Sequence, residues 1–213
     1  MKPMTVLLVD DHAVVREGYR RLLEESGRIA VVGEAASATE ALEKFDALKP
    51  HVVVMDISLP GVSGIEATRR IRARSPDACV LIFSMHEDAI FARRALDAGA
   101  RGYVTKSSAP RVLVEAVDAV ANGGRYLSHD IAQRLALGGP PGEGESIAML
   151  STREFEVLKL LAQGLTLAQI AEQLGVAVKT VANHQSAIKQ KLGADTGREL
   201  VRQAMRLGII PNV

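Results

Sequence analysis

Tryptophan is absent from this chain, cysteine occurs once, and only 3% of the residues are aromatic. A core without large rings must be filled mainly by aliphatic side chains. The lone Cys79 has no partner for an internal disulfide and, set in the apolar run CVLIF, reads as a small buried residue. No apolar stretch approaches the roughly 18 residues that a membrane-spanning helix needs. The N-terminal residues also lack the basic, apolar and small-residue pattern of a secretion signal. Membrane insertion is therefore not expected, and a cytoplasmic location is. Strong net charge is missing too, the formal value being +1 over 213 residues. That value hides an asymmetry: residues 151–213 carry 8 Lys and Arg against 5 Asp and Glu, the remainder 18 against 20. So mild a basic excess is compatible with a polyanionic partner without pointing to one. Repeats of solenoid length are also lacking.

What is present is a rhythm. Five short apolar runs, TVLLV, IAVVGEA, VVVMD, CVLIFS and GYVT, alternate with stretches whose apolar residues recur three and four apart. Strands apolar throughout, such as Val52 to Met55, need cover on both faces, which helices on either side of a parallel sheet provide. The expected fold is α/β, a doubly wound five-stranded parallel sheet over residues 1–127. Residues 128–147 then read as a linker, because LGGPPGEGES cannot bury enough apolar area to offset chain entropy. Residues 148–213 form a second, all-α domain of four short helices. Capping-box pairs at Ser151/Glu154, Thr166/Gln169 and Thr196/Glu199 open three of them, and Gly164, Gly175, Gly193 and Gly208 stand where helices stop.

In a parallel doubly wound sheet, ligands gather beyond the carboxyl ends of the strands. Those ends carry Asp10 and Asp11 after the first strand, Asp56 after the third, Ser84 on the fourth and Lys106 after the fifth. Three carboxylates this close repel one another unless a cation neutralises them or Lys106 lies among them. With no His or Cys expected at ligand spacing, oxygen-seeking Mg²⁺ suits the set better than zinc. Asp11 is expected to bind it directly and Asp10 through water. Asp56 both touches the metal and attacks phosphorus, Lys106 neutralises phosphoryl oxygens, and Ser84 donates a hydrogen bond to one of them.

The segments VDDH, MDISLPGVSG, FSMHE and GARGYVTKS resemble the receiver domain of bacterial two-component response regulators. The resemblance implies a flavodoxin-like fold and phosphorylation of Asp56 by a histidine kinase. It also implies Mg²⁺ held by Asp10, Asp11, Asp56 and the backbone carbonyl of Ser58. Ser84 turns toward the phosphoryl group, and Tyr103, at the aromatic switch position, turns inward as Ser84 moves. Only phosphorylation and dephosphorylation of the chain itself are implied, not turnover of a substrate.

The C-terminal segment has helix-turn-helix spacing, with Leu158, Leu161, Ile170, Leu174, Val181, Ile188 and Leu192 as its core. The other face of the third helix carries Lys179, Ala182, Asn183, Ser186, Lys189 and Lys191. KTV, His184, Ile188 and KL resemble the LuxR-type helix-turn-helix, so the whole chain is similar to the NarL/FixJ-type response regulators. By position, the resemblance implies that Ala182, Asn183 and Ser186 face base edges of double-stranded promoter DNA. Lys179, Thr180, His184 and Lys189 lie near its backbone. A homodimer on spaced half-sites, acting with RNA polymerase, is the implied assembly. Ala177 departs from the family, which usually has a capping Ser at that position. Two other readings stand beside this one: a metal-dependent phosphohydrolase, and a DNA-binding protein that uses its receiver only to oligomerise, independently of phosphorylation.

Overall fold

The computed structural model describes residues 3–137 and 150–206. The chain divides into two compact units, Met1–Gly138 and Gly139–Val213.

In the first unit, strands and helices alternate: β1 (Met4–Val9), α1 (Ala13–Glu24), β2 (Ile29–Ala35), α2 (Ala38–Leu48), β3 (Val52–Met55) and α3 (Gly64–Arg74). They are followed by β4 (Val80–Ser84), α4 (Ala89–Asp97), β5 (Gly102–Thr105), α5 (Pro110–Ala121), β6 (Tyr126–Leu127) and α6 (His129–Leu137). All pairings are parallel, in the order β2-β1-β3-β4-β5-β6. β3, β4 and β5 are buried at every position, as their unbroken apolar runs require. The pleat sends alternate residues to opposite layers. Val6, Leu8, Val52, Val54, Leu81 and Phe83 meet Leu23 of α1 and Leu113, Val117 and Val120 of α5. Leu7, Val53, Met55 and Ile82 are equally buried on the other face, where α2, α3 and α4 pack side by side.

Two features depart from the five-stranded expectation. β6 adds a sixth strand beside β5, and α6 occupies residues expected to be linker. Ser128 N donates to the Tyr103 carbonyl at 3.0 Å, and α6 packs on α4 and β5 with Ile131 fully buried. A two-residue strand is too short for periodicity to reveal. Most of the Gly- and Pro-rich stretch itself lies outside the described residues.

The second unit contains α7 (Thr152–Ala162), α8 (Leu167–Gln173), α9 (Val178–Leu192) and α10 (Gly197–Arg206). Complete capping boxes open α7 at Ser151 and α8 at Thr166. Thr196 caps α10 with its hydroxyl, but Glu199 reaches back to the amide of Asp195 instead of that of Thr196. Gly193 ends α9 at φ 64°, a left-handed conformation that costs glycine little. Gly208 lies outside the described residues. Leu158, Ile170, Val181 and Ile188 are fully buried, while Leu161, Leu174 and Leu192 are partly so.

Candidate functional site: an acidic sheet edge and a basic helix face

The backbone ladder aligns the acids. Asp10 N donates to the Ala35 carbonyl at 3.0 Å and Asp56 N to the Val9 carbonyl at 2.9 Å, so each acid continues its strand by one residue. Parallel register sets Val9 against Met55 and Ser84 against Thr105, and Lys106 N donates to the Ser84 carbonyl. Residues distant in sequence therefore meet at one sheet edge.

Lys106 is the hub. Its Nζ lies 2.5 Å from Asp10 Oδ2 and 2.7 Å from Asp56 Oδ2, and its side chain is only 8% exposed. Burial by itself would lower the lysine pKa, but the charges of Asp56 and Asp10 outweigh that and hold it above its ordinary value. Asp10 and Asp56 are themselves buried. Asp11 is exposed, and its carboxylate meets His12 Nδ1 at 2.8 Å. His12 also lies 3.2 Å from Asp10, so Asp10, Asp11 and His12 form a group able to share an ion. This corrects the expectation that no histidine stands at ligand distance: the turn into α1 folds residue 12 back over the acids. Asp56 lies outside that group, one oxygen on Lys106 and the other accepting from Ser58 N at 3.4 Å.

Ser84 is fully buried, and its Oγ accepts from His86 N at 3.4 Å. Tyr103 is fully buried as well, its hydroxyl donating to the His86 carbonyl at 2.8 Å. Burial first, and the Asp56 charge second, push its pKa up. Tyr103 thus lies inward in this structure, its hydroxyl held by the His86 carbonyl. The Ser58 hydroxyl pairs with His86 Nε2 at 2.9 Å, and the His86 ring stacks on Phe91. Gly64 is required by close approach: a Cβ there would lie 1.8 Å from the Asp56 carbonyl oxygen.

Sequence reasoning missed the polar ties around this edge. Arg16 donates to the Asp10 carbonyl and to Glu34. Thr105 donates to Asp130 of α6 at 3.1 Å, and Glu87 receives both Ser107 and Arg134. The placement of Arg16 one turn into the helix after DDH was the available signal. Nothing local marks the α6 contacts.

In the second unit, Lys179, Thr180, Asn183 and Ser186 are exposed on α9, and Ala182, His184 and Lys189 are partly so. Ser186 Oγ donates to the Ala182 carbonyl and Lys189 Nζ to the Asp195 carbonyl. Lys191, also on this helix, pairs with Glu154 at 2.6 Å.

An acidic parallel-sheet edge with a buried lysine, followed by a helix-turn-helix unit, defines a receiver joined to a DNA-binding module. Residues 6–118 match the family described as response regulator receiver domain, and residues 148–204 match bacterial regulatory proteins, luxR family. The transcriptional activator protein ExaE of Pseudomonas putida is 42% identical, covering 97% of this chain and 98% of ExaE. A crystal structure of a LuxR-family two-component response regulator from Aurantimonas sp. SI85-9A1 is 52% identical with a TM-score of 0.63, covering 64% of this chain and 97% of that one. A structure of two RcsB dimers bound to two parallel DNAs is 28% identical with a TM-score of 0.61, covering 95% and 98%. The chain belongs to the NarL/FixJ-type two-component response regulators, DNA-binding regulators of transcription and not enzymes. Among the described residues, no helix is long and apolar enough to cross a membrane.

Proposed function

We propose that a histidine kinase phosphorylates Asp56 and that this controls binding of the chain, as a dimer, to promoter DNA in the cytoplasm. The observation that carries the reading is Lys106 bridging two buried carboxylates, Asp10 and Asp56. A buried cation beside a carboxylate that can act as nucleophile is an arrangement suited to phosphoryl transfer.

An Asp56 carboxylate oxygen attacks phosphorus of the kinase phosphohistidine. The new O–P bond forms as the N–P bond breaks, and the imidazole keeps the electron pair. Lys106 then exchanges its contact with Asp56 for the incoming phosphoryl oxygens, and the Ser84 hydroxyl donates to another. The donor set suits a hard ion: Lys106 is shared by Asp10 and Asp56, and Asp11 adds a third carboxylate beside Asp10, leaving excess negative charge on oxygen ligands. Asp10, Asp11, Asp56 and the Ser58 carbonyl would hold Mg²⁺, which when bound offsets charge on the transferred group. A phosphoryl group adds about −1.5 to −2 charge, enough to redraw the Lys106 and Ser84 contacts.

On the DNA side, Ala182, Asn183 and Ser186 face base edges in the major groove, while Lys179, Thr180, His184 and Lys189 lie along phosphates. The RcsB dimers bound to DNA support a dimeric assembly here. RNA polymerase is the partner this reading places at the promoter. Intact-mass analysis after treatment with acetyl phosphate and Mg²⁺ tests the acceptor: one phosphoryl group is gained by the parent chain and none by Asp56→Ala. Equal labelling of both would refute it. The inward Tyr103 favours a second reading, in which the receiver holds its active form without phosphate. DNA affinity unchanged by phosphodonor would select that reading.

A further inference from the structure

β1 stops at Val9 and α1 starts at Ala13, so the acids Asp10 and Asp11 stand on a three-residue bridge. His12, the N-cap residue, makes no side-chain capping bond and the first turn of α1 holds no acid, while His12 N donates to Asp10 Oδ1 at 2.8 Å. Arg16, one turn into α1, adds a side-chain anchor to the bridge. Its Nη1 donates to the Asp10 carbonyl at 2.5 Å and its Nε to Glu34 Oε2 at 3.0 Å, with the side chain 15% exposed. The other Glu34 oxygen takes Arg20 Nε at 2.6 Å, and the Glu34 carbonyl takes Lys44 Nζ. Burial opposes ionisation of Glu34, but the bonds from Arg20 and Arg16 prevail and hold its pKa below the ordinary carboxylate value.

We propose that Arg16, aimed by Glu34, is a positioning residue that presents Asp10 and Asp11 to the divalent cation; this rests on the reading of the edge as a Mg²⁺ site. Two physical reasons support it. A guanidinium fork reaches two acceptors at fixed angles, which a lysine cannot do. Glu34 also balances the Arg16 charge, which otherwise stands beside two acids and opposes an incoming dication. A mere tie between α1 and β2 would add stability and leave ion affinity alone.

Mg²⁺ titration calorimetry on the full chain separates the two roles, with thermal unfolding in chelator measured alongside. Arg16→Lys and Glu34→Gln are each expected to weaken Mg²⁺ binding about tenfold, as loss of outer supports of metal ligands commonly does. The half-saturating Mg²⁺ for labelling by acetyl phosphate should rise by the same factor, with the rate at saturating Mg²⁺ unchanged. Arg21→Lys, in an exposed pair with Glu17 on the same helix, should shift neither. Unchanged Mg²⁺ affinity with a lowered melting temperature would overturn the proposal. A parent chain that binds Mg²⁺ but gains no phosphoryl group removes the phosphorylation reading while the Arg16 test still stands. A parent that binds no Mg²⁺ overturns both.

Discussion

At the scale of single residues, the site is a problem of charge. Asp10 and Asp56 are buried, and among the described residues Lys106 alone is bonded to both. Removing one partner of a buried ion pair strands the other, at a cost of about 3–5 kcal/mol. Lys106→Ala should therefore lower the stability of the first unit by about 3 kcal/mol in urea unfolding. Mg²⁺ should recover part of the loss by replacing the missing cation. No destabilisation, or no recovery with Mg²⁺, would count against this account. The five residues chosen for the edge were legible because each ends an apolar run, and strand ends in a parallel sheet converge. Arg16, His12 and Glu87 were not, because their roles depend on which way a turn folds back.

At the scale of elements, α9 starts badly and α7 starts well. Ala177 caps α9 with no side-chain bond, whereas Ser151 and Glu154 close a reciprocal box on α7. Ala177→Ser should raise the melting temperature of the second unit through about 1 kcal/mol of added stability. An unchanged transition would mean that the turn already satisfies the free amides. Glu154 gives this unit a pH dependence. Burial opposes its charge, but Lys191 and the Ser151 amide and hydroxyl overcome this and hold its pKa below the ordinary 4.5. A depressed acid contributes stability that is complete above its unfolded value and is lost as pH falls through the folded one. Unfolding of the second unit should therefore become easier below about pH 4.5, and Glu154→Gln should flatten that dependence. The caps could be read from residue spacing because a capping box is local. β6 and α6 escaped because their burial comes from β5 and α4.

At the scale of the whole molecule, one unit carries an acidic edge and the other an exposed polar helix face. Lys179→Ala should weaken binding to all duplexes alike and reduce the salt slope by about one. Asn183→Ala should instead relax preference at one base pair, by about 1–3 kcal/mol. Selection from a random duplex pool, repeated at several salt concentrations, distinguishes the two. A uniform loss in both variants would mean that Asn183 meets phosphate and not a base.

The order of residues alone determined the two-unit layout, the strand and helix alternation and the identity of the acids, because periodicity, caps and strand ends act over a few positions. Only tertiary structure decided who holds whom. Lys106 finds Asp10 and Asp56 across separations of 96 and 50 residues, and only strand register brings such partners within bonding distance. The same applies to Lys191, which helical position places on the outer face of α9 and which pairs with Glu154 across 37 residues. A charge seeks its nearest buried counter-charge, and that neighbour exists only once the helices have packed.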